Sequence, residues 1–360
     1  MYLCSFYFNN MSRQVAVICT DIKEAVLRAV GDYQSSDIFI LTDDNTLNHC
    51  YPLIEGLSCL KEAHIITIPS GDENKNIDSA IEIWRYLSEN GANRKSLMIN
   101  LGGGMVTDIG GFVASTFKRG IAYINISTTL LGAVDAATGG KTGINFLGYK
   151  NEIGVFNLPR TVLIYTDFFK TLDLENIRSG FAEMIKHALI YSKEEWRKVS
   201  TFDLEKVNFD VLRTLVESNI RVKEWVVKQD PTEQNIRKVL NLGHTFGHAF
   251  ETFSHRVNRP VLHGYAVMWG LLCELYLSHA KFGFPQEYLL KLKNITKAYY
   301  GMFGFDCKDY EVLYELMTHD KKNESKDINF TLLSDIGEVQ INQTASKEEI
   351  FEVLDFYLSL

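Results

Sequence analysis

Six short runs rich in β-branched and aliphatic residues punctuate the first part of the chain: VAVIC (15–19), IFILTD (38–43), HIITIP (64–69), SLMINL (96–101), IAYINI (121–126) and VLIYTD (162–167). Helical patterns fall between them, and this alternation is the signature of βα units around a largely parallel sheet. Ligands of such a sheet sit at the carboxyl ends of its strands. From about residue 178 the pattern changes. FAEMIKHALIY, VLRTLVESNIRVKEWVVK, HTFGHAFETF and HGYAVMWGLLCELYLSHA carry apolar residues at spacings of three and four, which reads as helix. Only INFTLLSDIG (328–337) suggests a further short strand pair. The expected fold is an α/β N-terminal domain with a mainly parallel sheet over 11–175, followed by a mainly α-helical domain over 176–360. A site in the cleft between the two is the expectation for such a plan.

Composition narrows the class. A chain of 360 residues, 46% hydrophobic and 23% charged, has the balance of a globular protein large enough for two cores. The formal charge of -8 argues against a surface that wraps nucleic acid, while leaving room for a local basic pocket that holds a small anion. Cys4, Cys19, Cys50, Cys59, Cys273 and Cys307 are scattered without a CxxC pair, which suits reduced thiols. The opening MYLCSFYFNN lacks a basic flank and is too short to span a bilayer. Because SRQVAVICT after Met11 already reads as the approach to a first strand, residues 1–10 are expected to be a disordered or artefactual extension. No other apolar run reaches membrane-spanning length, so the expectation is a cytoplasmic protein without a membrane partner.

Several segments carry possible chemistry. Gly102, Gly103 and Gly104 follow the fourth run directly and open a helix, where bare backbone amides can approach a phosphate. A tight strand-to-helix turn uses glycine equally well, and the spacing is not GxGxxG. STTLLGAVDAATGGKTGIN (127–145) places Asp135 and Lys141 among small residues, with Lys150 and Asn151 following. Glu183, Lys186 and His187 share one helix, where Glu183 and Lys186 could equally form an ordinary surface ion pair. Lys223 stands in a strongly apolar helix, from which it could snorkel to solvent. NLGHTFGHAF (241–250) sets His244 and His248 four apart on one helix face, a spacing that suits shared metal ligation and also suits two satisfied core histidines. His263 opens a later helix, and with Glu183 it could complete a three-ligand Zn2+ site of mixed nitrogen and oxygen donors.

Taken together and in order, GDENK (71–75), GGGMVTDIGGFVASTFKRG (102–120), TTLLGAVDAATGGKTGIN (128–145), KNEIGVF (150–156), SGFAEMIKHALI (179–190), NLGHTFGHAFE (241–251) and LHGYAVMWG (262–270) resemble the 3-dehydroquinate synthase family of sugar phosphate cyclases. The resemblance runs from Met11 to the C-terminus. It implies Glu183, His244 and His263 as ligands of Zn2+, with Co2+ a possible substitute. It implies NAD+ contacts from Asp43, Asn45, Asp72, Lys75, Gly103, Gly104, Asp108, Thr128, Thr129 and Lys150. Lys141, Asn151, Lys186, Asn241 and His248 would act on the substrate, and Asp135, Lys223, Arg237 and Lys321 would help bind it. Arg119 matches a position that reaches across a homodimer into the partner's site. The chain departs from the family where many members read HGE and it has His263-Gly264-Tyr265. It also has DPTEQN before Arg237, and Asn176 at a usually acidic position near the cofactor.

The activity implied is cyclisation of 3-deoxy-D-arabino-heptulosonate 7-phosphate to 3-dehydroquinate and phosphate, a step of the shikimate pathway to aromatic amino acids, with NAD+ used catalytically. Alternatives are another sugar phosphate cyclase of the 2-deoxy-scyllo-inosose type, a metal-dependent polyol dehydrogenase, and a binding protein that retains only the scaffold. A dehydrogenase would consume NAD+ stoichiometrically and would not need so many anion-binding side chains.

Overall fold

The computed structural model describes residues 16–147, 149–318 and 328–360. The expected extension over 1–10 and the lysine at 321 lie outside the described residues. The chain forms two compact units: one takes the chain up to Ser127 together with Ala137–Tyr165, the other Thr128–Ala136 together with Thr166–Leu360.

In the first unit every one of the six apolar runs forms a strand. These are β1 (Ala16–Ile18), β2 (Ile38–Asp43), β3 (His64–Ile68), β4 (Leu97–Gly102), β5 (Ala122–Ser127) and, after the hairpin strands β6 (Lys141–Phe146) and β7 (Tyr149–Phe156), β8 (Val162–Ile164). The six pair in parallel in the order β1-β8-β5-β4-β2-β3. Helices α1 (Ile22–Val30), α2 (Asp44–His49), α3 (Ile77–Glu89) and α4 (Gly104–Thr116) supply connections. Every residue of β4 is buried, as a central parallel strand covered on both faces must be. Phe39, Leu41, Ile83, Met98, Val113 and Tyr123 belong to the core of this unit. Two asparagines run through that core: Asn100 Nδ2 donates to Asn125 Oδ1 at 2.9 Å, and Asn125 Nδ2 donates to the Ala137 carbonyl at 3.2 Å. This ties β4 and β5 to the segment leading into Lys141.

The antiparallel hairpin β6-β7 is not apparent in the sequence, where its residues read as a small-residue segment. Two physical reasons account for this. Every residue of β7 is exposed, so the period-two apolar alternation of a half-buried strand is missing. Gly143 and Gly154 face one another across the pair, and a Cβ on Gly154 would meet the Thr142 carbonyl oxygen at 2.2 Å. Gly111 of α4 likewise lets that helix lie on β6, since a Cβ there would reach Thr142 Cγ2 at 2.5 Å.

The second unit contains α5 (Leu174–Tyr191), α6 (Lys193–Val199), α7 (Phe209–Gln229), α8 (His244–Arg256), α9 (His263–Phe282), α10 (Gln286–Tyr299), α11 (Tyr310–Thr318) and α12 (Lys347–Leu358). The strand pair suggested by INFTLLSDIG is present as β9 (Asn329–Asp335) antiparallel to β10 (Glu338–Thr344). Phe246, Phe250, Trp269, Leu313, Phe330 and Leu354 form the centre of its core. Residues 128–136 belong with these helices. Lys223 Nζ donates to the Asp135 carbonyl at 2.5 Å, and Gly180 of α5 lies so close that a Cβ would meet the Leu131 nitrogen at 2.4 Å. Among the described residues no helix is long and apolar enough to cross a membrane.

Glycines bring α5, α8 and α9 to backbone contact. A Cβ on Gly264 would stand 1.9 Å from the Ser179 carbonyl oxygen, and a Cβ on Gly270 would stand 1.9 Å from that of Gly243. Such distances are far inside van der Waals contact, so only glycine permits this packing. Each of the three helices carries one member of the triad described next.

Candidate active site

Glu183 sits on α5 with no exposure to solvent, and among the described residues its Oε1 has no hydrogen-bond donor. An orphaned carboxylate oxygen in a protein interior is costly unless something charged meets it. His244 Nε2 and His263 Nε2 each lie 3.5 Å from that oxygen. Two donors bonded to one tetrahedral cation at roughly 2.0–2.1 Å lie about 3.4 Å apart, so the three side chains have the spacing of a cation's ligand set.

The far sides of the imidazoles are arranged to match. His263 Nδ1 lies 3.1 Å from Oε2 of buried Glu251, and His244 Nδ1 lies 3.1 Å from the Leu242 carbonyl. Acceptors at Nδ1 orient each ring with Nε2 towards Glu183, the orientation that a metal-ligating imidazole needs. Burial acts to lower the His263 pKa, but the Glu251 and Glu183 carboxylates more than offset it and raise it to about 10. Burial acts to raise the Glu183 carboxyl; Lys186, and to a lesser extent His263, reverse this and leave it below the usual carboxylate range. Two imidazoles and one carboxylate are a donor set for Zn2+ or a similar ion with a coordination position left open.

His248 does not join this triad. It is half-buried, its ring edge-on to His244 at 5.3 Å between centroids. Asp135, Glu183 and His187 form a second cluster of metal-ligand type. There, however, the Lys186 ammonium pairs with Glu183 through Oε2, the oxygen turned away from His244 and His263, and the Lys223 ammonium pairs with Asp135, so on this side the carboxylates already have cationic partners. Burial pushes the Lys223 amine down despite Asp135. Neither lysine snorkels: Lys186 is 1% exposed and Lys223 5%. Nor is the Glu183–Lys186 pair on the surface.

Arg237 is buried, donating through Nη1 to the Pro231 carbonyl at 2.6 Å, and Asn241 Nδ2 donates to Glu233 Oε1 at 3.2 Å. Thr128 is buried, and the Thr129 hydroxyl accepts from the Gly132 amide at 3.0 Å.

A separate charged cluster lies in the α/β unit. Buried Lys75 extends Nζ to Asp108 Oδ2 at 3.1 Å, Asp72 Oδ1 at 3.3 Å and Asn151 Oδ1 at 2.7 Å, while Lys150 Nζ lies 3.4 Å from Asp72 Oδ2. Burial acts against the Lys75 charge, but Asp108 and Asp72 outweigh it and raise the pKa. Asn151, expected among the substrate residues, is thus joined to the side chains expected to hold the cofactor. It has left-handed backbone, φ 50°, and its amide donates to Asn145 Oδ1 at 2.9 Å.

Gly103 and Gly104 start α4, and Gly103 offers that helix no capping side chain. Asp43 caps α2 through the Thr46 amide, with Asn45 exposed in the first turn. Lys141 is exposed at the start of β6. Arg119 is exposed in a turn where Lys118 and Arg119 take φ of 49° and 70°. Asn176, the departure noted in the sequence, packs its amide group against Asp173, the N-cap of α5.

The residues that the sequence does not single out are Glu251, Glu233 and Asn145. Glu251 had a signal: it lies seven residues after His244, on the face that also carries His248.

Residues 65–179 match the family described as 3-dehydroquinate synthase N-terminal, and residues 180–323 match 3-dehydroquinate synthase C-terminal. A 3-dehydroquinate synthase of Parabacteroides distasonis is 53% identical over 347 residues, 96% of this chain and 98% of that protein. Among solved structures, 2-epi-5-epi-valiolone synthase of Streptomyces hygroscopicus, with NAD+ and Zn2+ bound, superposes with a TM-score of 0.86 at 20% identity over 99% of each chain. A 2-deoxy-scyllo-inosose synthase complexed with carbaglucose-6-phosphate, NAD+ and Co2+ gives 0.81 at 21% identity over 94% of this chain and 95% of that one. The structural likenesses carry the fold, and the sequence matches carry the lineage: the chain belongs to the 3-dehydroquinate synthase family.

Proposed function

We propose that this chain converts 3-deoxy-D-arabino-heptulosonate 7-phosphate to 3-dehydroquinate and inorganic phosphate, with Zn2+ or Co2+ held by Glu183, His244 and His263 and NAD+ held by the Lys75 cluster and the start of α4. The observation that carries this reading is the orphaned Glu183 oxygen with two imidazole nitrogens at 3.5 Å each, in a chain of this family. When bound, the metal supplies Lewis-acid activation of a substrate hydroxyl and NAD+ accepts and returns a hydride.

This chain's own side chains do the rest. Glu251 and the Leu242 carbonyl keep His263 and His244 in one tautomer and one ring orientation. The ammonium groups of Lys186 and Lys223 and the Arg237 guanidinium face a substrate that carries both a carboxylate and a phosphate, and cationic anchors of this kind fix its position. His248, outside the triad and half-buried, takes and returns protons at a substrate oxygen in this reading. Asn241 orients a second oxygen, and the family resemblance adds Lys141 and Asn151 to the residues that act on the substrate. Three cationic side chains, Lys186, Lys223 and Arg237, suit a substrate with two anionic groups better than an uncharged polyol. The reading extends to a homodimer in which the exposed Arg119 serves the partner's site, and to the cytoplasm, where NAD+ is available.

The test is incubation with the heptulosonate phosphate, Zn2+ and substoichiometric NAD+. One phosphate released per product, with no net NADH accumulation, supports the cyclase. Stoichiometric NADH without phosphate release would mark a polyol dehydrogenase instead.

A further inference from the structure

Helix α8 begins at His244 and has no capping side chain of its own. The N-cap position is Gly243, at φ 79°, and a Cβ there would meet Leu271 Cδ2 at 2.7 Å. Left-handed backbone and close packing both require glycine at this point, so the usual Ser, Thr, Asp or Asn cap is excluded. The amides of the first turn are nevertheless met. Glu274, on α9 and with no exposure to solvent, accepts from the Gly243 amide through Oε2 at 2.6 Å and from the Thr245 amide through Oε1 at 3.0 Å. The Phe246 amide points to the same Oε1 at 3.4 Å. A carboxylate from a neighbouring helix therefore takes the place of the absent cap, with its charge at the favourable end of the helix dipole.

Glu274 stands eleven residues after His263 on α9, about three helical turns, which puts both on the same face. Gly270 lies on that face too, against the Gly243 carbonyl. One face of α9 thus presents a ligand of the triad, a backbone contact with α8 and the cap of α8. We infer that Glu274 is a positioning residue for the metal site: it fixes the start of α8, and hence His244, relative to His263. The inference rests on the metal reading above.

The test uses Zn2+ alone as the probe. Zinc affinity of the full chain is measured by competition with a chromophoric chelator, for the parent and for Glu274→Gln, Leu292→Ala and His244→Ala. Gln is nearly isosteric but turns an NH2 group towards backbone N–H donors. Leu292, buried in α10, serves as a control for destabilisation without any part in the site. Glu274→Gln is expected to weaken zinc binding about tenfold or more, while Leu292→Ala lowers the melting temperature and leaves affinity unchanged. Unchanged zinc affinity in Glu274→Gln, with His244→Ala losing zinc, would overturn the positioning role and spare the metal reading. Retention of zinc by His244→Ala would overturn the metal reading itself.

Should Glu274→Gln fail to fold, amide hydrogen exchange on the parent protein decides. Zinc loading is expected to slow exchange at Gly243, Thr245 and Phe246, and no change at these three amides would count against the coupling.

Discussion

Glu251 meets Nδ1 of His263 at 3.1 Å from the same helix that carries His244. One helix therefore supplies both a ligand of the triad and the group that orients another. Replacing Glu251 by Gln keeps the shape but removes the charge that holds the ring. Zinc affinity should fall about 10- to 100-fold, read by chelator competition. Unchanged affinity would mean that packing alone orients His263.

His187 gives the fold a pH dependence. Burial, with Lys186 adding to it, lowers its pKa from the ordinary 6.5 to about 4. Below pH 6.5 the unfolded chain binds a proton that the folded chain refuses. The stability His187 contributes is therefore full above that pH and is lost as pH falls towards 4, at most about 3 kcal/mol. Urea denaturation at neutral and at acid pH should show a steeper loss for the parent protein than for His187→Gln. Equal losses would show that His187 is not protonated on unfolding.

Gly264→Ala tests the contact between α5 and α9. The new methyl would press on the Ser179 carbonyl, a backbone atom that cannot turn aside, at the residue next to His263. A cost of about 1–3 kcal/mol in unfolding free energy is expected, together with weaker zinc binding. A variant with parental stability and parental zinc affinity would show that the helices can part without disturbing the triad.

Lys75→Met removes the cation shared by Asp72, Asp108 and Asn151. NAD+ binding, followed by calorimetry, should weaken about tenfold or more, as for loss of a charge-assisted hydrogen bond. Zinc affinity should be unaffected. Loss of zinc with retention of NAD+ would reverse the assignment of the two clusters.

Much of this was legible in the sequence, and the remainder was hidden for identifiable reasons. The six parallel strands were visible because each is a short apolar run closed by turn residues. The hairpin β6-β7 was not, because exposure and glycine pairing remove its alternation. His244 and His248 could not be told apart by spacing, since a helical interval of four puts both on one face. The resemblance separated them, and in the structure His244 lies against Glu183 while His248 stands outside the triad. Lys186 and Lys223 looked like surface or snorkelling amines, and only three-dimensional burial shows otherwise. Glu274 accepts from backbone amides 29 and 31 residues earlier in the chain, a relation that no local pattern records. Its one trace was a lone acid in an apolar helix.

The most direct test of the proposed chemistry follows the hydrogen on carbon 5 of the substrate, the carbon that the family resemblance implies is oxidised by NAD+ and then reduced again. With heptulosonate phosphate deuterated at that carbon, Zn2+ and substoichiometric NAD+, the deuterium should be retained in the 3-dehydroquinate while phosphate is released at every turnover. Deuterium accumulating in reduced nicotinamide, with one NAD+ consumed per substrate, would contradict the account.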